Sequence, residues 1–418
     1  MSNITFLAGS FYPDFEAVGF CAYQVQKCLA DEHLISVVSF RSQPHQQDEE
    51  TICGIRIIRF ATQEMTQRSL LAKHAGRIAS MRLKIMRIRG ALRKLLSPTS
   101  INKHLVQSYI ECLEKLEPKP DVLVPLVFPF ETVLAALAYK AKNPHVTLVP
   151  YLFDDFVQSG SLHVLNLARE MKRNRHLDLE RRMLSESDAV LAMHPLRQHL
   201  EENFESCLLG RVTFVEHPLL SPPVSASEID NLGTIKLCFT GSLIRNVREA
   251  GNLIRLLEAV QIEKPVRVDF YVMGNAAQDV PSGFLSNGVE IVNHGRVTKS
   301  EADAAVARAD ILINIGEVTG RQVSSKIFEY VSTGKPILHL ANVKTDSVSG
   351  ILSKYPLGLS IINDQRKLRE NAHKISDLIR KGESEKITFD VVQTIWPDAL
   401  PEYTAKIFRK IINMREDL

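Results

Sequence analysis

Short apolar runs separated by helical patterns, a rhythm that stops once at a proline-rich passage and then starts again, restrict this chain to few folds. In the first half the runs are Ile4–Ala8, Ile35–Phe40, Ile55–Phe60, Val122–Val127, Val146–Leu152, Ala189–Met193 and Val212–Val215. Each is strand length, and several are almost continuously Val, Ile or Leu, as strands buried on both faces are. Alternation with helices calls for a parallel sheet covered on both sides.

A polar passage from His217 through Pro218, Pro222 and Pro223 to about Asn231 has the texture of a linker. Beyond it the pattern restarts with Ile235–Thr240, Val268–Met273, Val289–Val292, Ile311–Ile315, Ile337–Leu340 and Leu359–Ile362. The expected fold is α/β, with two doubly wound Rossmann-like domains facing across a cleft. The expected boundaries are an N-terminal domain over 1–222, a C-terminal domain over 223–395, and a closing segment over 396–418 that packs back on the N-terminal domain. In that segment Pro401 opens a helix carrying Tyr403, Ile407, Ile411 and Ile412 at helical spacing. Ligands in open parallel sheets bind beyond the carboxyl ends of the strands, so the residues that follow strands are the ones to inspect.

Composition excludes the other classes. Of 418 residues, 45% are hydrophobic and 24% charged, which is the balance of an ordered globular chain. The most apolar long stretch, Val122–Tyr139, is interrupted by Pro125, Pro129 and Glu131, so no spanning helix is expected. The start, MSNITFLAGSFYPD, lacks the basic opening and apolar core of an export signal. Six scattered cysteines contain no C-x-x-C pair, which argues against zinc or dithiol chemistry and for free thiols in a reducing cytoplasm.

The net charge is only +3, yet the window Thr66–Lys94 holds nine Lys and Arg and no carboxylate. In and just after the same window Leu71, Ile78, Met81, Ile85, Ile88, Leu92 and Leu95 recur at helical spacing. The expectation is a basic amphipathic helical insertion over 66–97. Its Arg77, Arg82, Lys84, Arg87, Arg89, Arg93 and Lys94 would meet anionic headgroups at the inner face of the cell membrane, each contributing about 1 kcal/mol. The alternative is that the stripe packs on the core and the arginines are solvated. With no aromatic residues interleaved for base stacking, nucleic acid is not the expected partner.

After Ile311–Ile315 comes the loop Gly316–Val323 and a helix that should start at Ser324 or Ser325 and stop before Gly334 and Pro336. A helix N-terminus exposes unpaired amides suited to a diphosphate, and Lys326 adds a full charge. Glu329, three residues on and on the same face, is placed to accept from ribose hydroxyls. The bland reading is a serine cap followed by a surface Lys/Glu pair.

The segment SSKIFEYVSTGKPIL resembles the nucleotide-binding motif of retaining GT-B glycosyltransferases of the family-four type. The resemblance runs over Ile235–Ile362, through FTGSL (Phe239–Leu243), VNHGRV (Val292–Val297) and ADILINIG (Ala309–Gly316). It implies that Glu329 binds the donor ribose and that Ser324, Ser325 and Lys326 meet the diphosphate of a UDP- or GDP-sugar. The family's second glutamate, eight residues earlier, is Arg321 here, and Glu317 is the nearest carboxylate. Gly241 and Ser242 of FTGSL, with Arg245 or Arg248 after them, would neutralise the leaving diphosphate, Arg248 matching the spacing better. In the N-terminal half Gly9, Ser10 and Gly19 resemble the family's first glycine loop. Asp154 and Asp155 fall where it places a group near the reacting sugar; turn capping is the plainer role. No metal and no cofactor beyond the nucleotide sugar is implied. The implied activity is hexosyl transfer, with retention, to an acceptor hydroxyl, a lipid-linked saccharide of surface polysaccharide assembly being the natural acceptor. Alternatives are a nucleotide-sugar epimerase or hydrolase on the same fold, and a non-catalytic partner subunit.

Overall fold

The computed structural model describes the chain except residues 14, 44, 74–76, 158–165, 224–232, 319, 321–322, 324–325, 383–385 and 417–418, together with the side chains of 63, 69, 72–73, 77, 94, 166–168, 365, 381–382 and 415–416. Two units divide it, Met1–Pro218 with Pro401–Leu418, and Leu219–Leu400.

Unit 1 is built from β1 (Asn3–Leu7), β2 (Leu34–Phe40), β3 (Glu49–Ile52), β4 (Ile55–Phe60), β5 (Val122–Val127), β6 (Thr147–Leu148), β7 (Tyr151–Leu152), β8 (Val190–Met193) and β9 (Val212–Val215). They lie in the order β3-β4-β2-β1-β5-β7-β8-β9, with β6 paired to β5. All pair in parallel except β3 with β4. The run Val146–Leu152 is divided because Pro150 has no N–H to give the ladder, leaving two short strands on either side. β3 escaped the sequence reading because Glu49-Glu50-Thr51 is polar. It is an edge strand, joined to β4 by Cys53 and Gly54 at φ 49° and 76°, the positive values a tight two-residue hairpin needs.

The helices of unit 1 are α1 (Ala17–Leu29), α2 (Gln63–Lys73), α3 (Arg77–Leu96), α4 (Lys103–Lys115), α5 (Glu131–Lys142), α6 (Asn166–Glu186), α7 (Arg197–Asn203) and α8 (Ser206–Leu209). The basic window is therefore not one helix but two, α2 and α3, packed side by side. Glu64 of α2 takes Arg68 and Arg93, each at 3.0 Å, and Gly90 of α3 leaves room for the Arg68 guanidinium. The apolar stripe expected to need cover is bare: Ile78 is 69% exposed, Met81 59% and Ile88 59%. The packed-core alternative for this stripe is thereby corrected. Ala79 instead is buried, on a second face with half-buried Leu83, Met86 and Gly90.

Unit 2 contains β10 (Ile235–Ser242), β11 (Val266–Met273), β12 (Gly283–Phe284), β13 (Glu290–Asn293), β14 (Ile311–Ile315), β15 (Ile337–Ala341) and β16 (Gly358–Ile362). Its helices are α9 (Gly251–Glu258), α10 (Lys299–Arg308), α11 (Lys326–Ser332), α12 (Ser347–Leu352), α13 (Leu368–Gly382) and α14 (Phe389–Ile395). The order β12-β13-β11-β10-β14-β15-β16 is doubly wound, and only the two-residue edge strand β12 is antiparallel. Every residue of β14 and β15 is buried; the two polar members, Asn314 and His339, are paired with each other at 2.8 Å, and the rest of both strands is apolar. The direction of winding reverses between β10 and β14, and the crevice beyond their carboxyl ends is where such sheets take ligands.

The last helix, α15 (Pro401–Glu416), returns to unit 1. Phe408 sets its ring 6.0 Å from those of Phe6 and Tyr151, and Arg409 donates to Glu32 at 3.0 Å and to the Cys28 carbonyl at 2.7 Å.

Lys335 closes α10 from below, its Nζ donating to the carbonyls of Val306 (2.8 Å) and Ala307 (2.6 Å). A cation suits a helix C-terminus, but burial prevails and pulls the Lys335 ammonium down from 10.5 to about 8. Between those values the unfolded chain holds a proton that the folded chain has shed, so this group makes stability rise with pH. The stability of wild type relative to Lys335→Met should therefore increase, on the order of 2 kcal/mol, between urea melts at about pH 7 and about pH 10.

Candidate functional site

Two loops meet at the switch point of unit 2. The one after β10 turns back on itself, with Arg248 N–H donating to the Ile244 carbonyl at 2.8 Å and Ile244 N–H to the Arg248 carbonyl at 2.9 Å. The one after β14 is tied to it by Val318 N–H donating to the Val247 carbonyl at 2.9 Å. Gly274, at φ 103°, makes the first turn possible, since a Cβ there would stand 2.2 Å from the Leu243 carbonyl oxygen.

α11 begins where these loops converge and is pinned to the end of β10 by two side chains. Lys326 Nζ donates to the Thr240 carbonyl at 3.0 Å. One turn on, the buried Tyr330 hydroxyl accepts from Thr240 N–H at 3.2 Å and lies 2.9 Å from Thr240 Oγ1. Gly241 and Ser242 follow, half-buried, with Lys326 Nζ 3.6 Å from the position a Gly241 Cβ would take. Ser324 and Ser325, expected to open this helix, and Arg321 lie outside the described residues.

Two cations share this corner. Burial lowers the pKa of Lys326, with Glu329 opposing and the neighbouring Lys299 and Arg248 adding to the fall. Burial likewise lowers that of Arg248, opposed by Glu317 and Tyr330. The Arg248 Nε–H is buried and makes no hydrogen bond among the described residues. Two desolvated positive charges, one with a donor that no described residue accepts from, stand at the carboxyl end of a parallel sheet, where a bound anion would offset the cost of burying them. Arg245, by contrast, is exposed and spent on Asp279, at 2.8 and 3.1 Å.

Glu329 is not a free surface carboxylate. It is one-quarter exposed and accepts from Lys299 at 2.6 Å, which also donates to Asp303 at 2.6 Å. Burial works against the Lys299 charge, but Glu329 first and Asp303 after it outweigh burial and raise its pKa. Lys299 was missed in the sequence. The available signal was the Thr298 and Glu301 capping box, which places Lys299 at the first position of α10. Lys299→Met, which releases the Glu329 carboxylate from its ion pair, is to be compared with wild type by urea melt. Stability should stay within about 1 kcal/mol, as for other exposed pairs.

A buried chain braces the β14 loop from beneath. His339 Nε2 lies 2.9 Å from Asp346, its Nδ1 lies 2.8 Å from the Asn314 amide, and Asp346 also accepts from Ser349 N–H. Burial alone would raise the Asp346 carboxyl, but His339 and the Ser349 amide hold it below its ordinary value. Gly316 and Gly320 lie directly over this aspartate, where a Gly320 Cβ would sit 2.3 Å from Val343. Glu317, between them, is buried.

In unit 1 the first-loop residues come together. A Cβ on Gly9 would lie 3.1 Å from Pro129 and 3.3 Å from Glu16, and one on Gly19 would lie 3.0 Å from the Ser10 carbonyl. Burial raises the Glu16 pKa, and its hydrogen bond with Ser10 opposes the rise. Asp154 is likewise raised by burial and steadied by His217, whose Nδ1 is 2.9 Å from Glu216. Asp155 points elsewhere, 3.5 Å from His199 Nδ1, while His199 Nε2 is 2.8 Å from Glu180. The ligand atoms of Asp155, Glu180 and His199 lie within 4.8 Å of one another, and this is the one such cluster among the described residues.

No protein-family model and no curated protein matches the sequence. Solved structures do match along the whole chain. A sucrose-phosphate synthase from Thermosynechococcus elongatus superposes with a TM-score of 0.56 at 11% identity, covering 99% of this chain and 100% of that one. A lipopolysaccharide outer-core galactosyltransferase gives 0.54 at 11%, covering 99% of each chain. A structure described as a UDP-N-acetylglucosamine 2-epimerase from Listeria monocytogenes gives 0.56 at 13%, covering 100% and 97%. The two doubly wound sheets and these full-length likenesses together show that this chain has the GT-B fold, two Rossmann-like domains in one polypeptide.

Proposed function

We propose that the protein is a retaining glycosyltransferase that moves a hexosyl group from a nucleoside diphosphate donor to an acceptor hydroxyl. The observation that carries this reading is the pair Arg248 and Lys326, two cations whose charge burial disfavours, meeting at the switch point of unit 2 with an Arg248 Nε–H that no described residue satisfies. A diphosphate supplies the missing negative charge, and its negative charge grows as the glycosidic bond breaks, so the same two side chains favour the transition state over the ground state. Glu329, held by Lys299, accepts from the ribose hydroxyls. With no nucleophile needed, same-face attack lets the departing phosphate oxygen take the acceptor proton, and retention follows.

The acceptor in this reading is a lipid-linked saccharide of surface polysaccharide assembly, met by unit 1 at the inner membrane face, with the protein attached peripherally from the cytoplasm. The supporting feature is the bare basic helix α3. Incubation of the full chain with a panel of UDP- and GDP-sugars and membrane extract, read by mass spectrometry, tests the activity. A glycosylated product is expected. Donor turnover without an acceptor would instead indicate an epimerase or hydrolase, and absence of nucleotide binding by calorimetry a non-catalytic subunit.

A further inference from the structure

Helix α3 carries two apolar faces. At about 100° per residue, half-buried Leu83, Met86 and Gly90 with buried Ala79 fill one arc, and Ile78, Met81, Ile85, Ile88, Leu92 and Leu95 fill another, about 100° wide and nearly opposite. The first arc is covered; the six side chains of the second are 37% to 69% exposed. Scattered exposed leucines need no explanation, but a contiguous stripe of six on one helix marks a contact surface.

The charges along its margins identify the occupant. Arg82 and Arg89 flank the stripe on one side and Lys84 on the other, and no carboxylate pairs with any of them among the described residues. Arg93, by contrast, is held by Glu64 at 3.0 Å. A second copy of the chain would bring the same unpaired cations face to face. No described helix is long and apolar enough to cross a membrane, so a bilayer could meet this one only along its surface.

We propose that α3 is an interfacial helix whose bare stripe enters the headgroup boundary of an anionic bilayer while Arg82, Lys84 and Arg89 bind lipid phosphates. The inference rests on the peripheral attachment proposed above and not on the sugar chemistry. It divides the helix between two solvents: α2 packs beside the Ala79 arc, where Arg68 lies against Gly90, and lipid receives the Ile85 arc.

The full chain is sedimented with vesicles of roughly one-third phosphatidylglycerol in phosphatidylcholine, and with phosphatidylcholine alone. It should pellet with the first and not the second, less so as salt rises. Arg82→Gln with Lys84→Gln and Arg89→Gln should lower partitioning about 100-fold, at about fivefold for each near-surface cation. Ile85→Asn with Ile88→Asn should lower it at least tenfold, on the order of the loss from two buried apolar side chains. Both variants change exposed positions, so thermal midpoint and UDP or GDP binding should hold. Failure to sediment, or sedimentation indifferent to the stripe substitutions, overturns the inference. So does a wild-type dimer that the stripe variant converts to monomers, which would assign the face to a second copy. Intact nucleotide binding beside lost vesicle binding leaves the donor reading standing; the converse result removes that reading and leaves this one.

Discussion

Lys326→Met should lower affinity for UDP or GDP about 100-fold, equivalent to about 2.7 kcal/mol, while leaving the fold as stable as before. The two halves of that expectation have opposite physical origins. In the free protein the Lys326 ammonium is disfavoured by burial and by the nearby Lys299 and Arg248. Removing it therefore relieves a desolvation cost, which offsets the roughly 1 kcal/mol lost with its hydrogen bond to the Thr240 carbonyl. A diphosphate reverses the balance, because the charge then has a partner. Calorimetry with each nucleotide and a urea melt on the same sample check both halves. Unchanged affinity would remove the diphosphate assignment; a collapse in stability would make Lys326 a structural cation.

The second large effect is on folding. Gly334 ends α11 at φ 69°, with its N–H donating to the Val331 carbonyl at 3.0 Å and its carbonyl accepting from Ile387 N–H at 3.0 Å. A Cβ there would stand 1.9 Å from the Ile387 carbonyl oxygen, which is backbone and has no rotamer by which to move aside. Gly334→Ala combines this clash with an unfavourable left-handed backbone and should cost about 3 kcal/mol or more. In a unit of this size that is a fall of roughly 10 °C in melting temperature. Gly350→Ala is the control: it sits inside α12 with nothing within 4 Å of the new methyl, and should be neutral or slightly stabilising. Equal melting temperatures for the two variants would contradict the geometry.

Gly334 also shows why the extent of α11 was legible in advance. A glycine followed by Lys335 and Pro336 after an amphipathic turn signals a helix end through local backbone sterics alone. The end of β14 at Gly316 was legible for an equally local reason, a strand of four apolar residues and one Asn running into a glycine. The hairpin that adds β3 and the split of the Val146–Leu152 run turned on single residues, Gly54 and Pro150, whose effect depends on a partner strand.

Other parts were not readable because they pair residues far apart along the chain. Lys299 reaches Glu329 across thirty positions, and Thr240 meets Tyr330 across ninety. Neither pairing exists until the strand order sets α10 and α11 on their places over the sheet. Spacing favours Arg248 over Arg245 only slightly, and the Ile244 turn separates them: one faces Asp279 in solvent, the other Glu317 and Tyr330 in the interior. Asp154 and Asp155, adjacent in sequence, part company toward His217 and His199.

By itself the sequence determined two doubly wound domains, the proline-rich junction between the two runs of strands, and the α11 segment with its lysine and glutamate. These follow from periodicity and turn chemistry, which act over a few residues. Only the tertiary structure decided which cations share the switch point, that Glu329 is held by Lys299, and which arc of α3 stays bare. A repeat of apolar residues specifies a helix but not the neighbour that covers it, and burial of a charge is a property of everything packed around it.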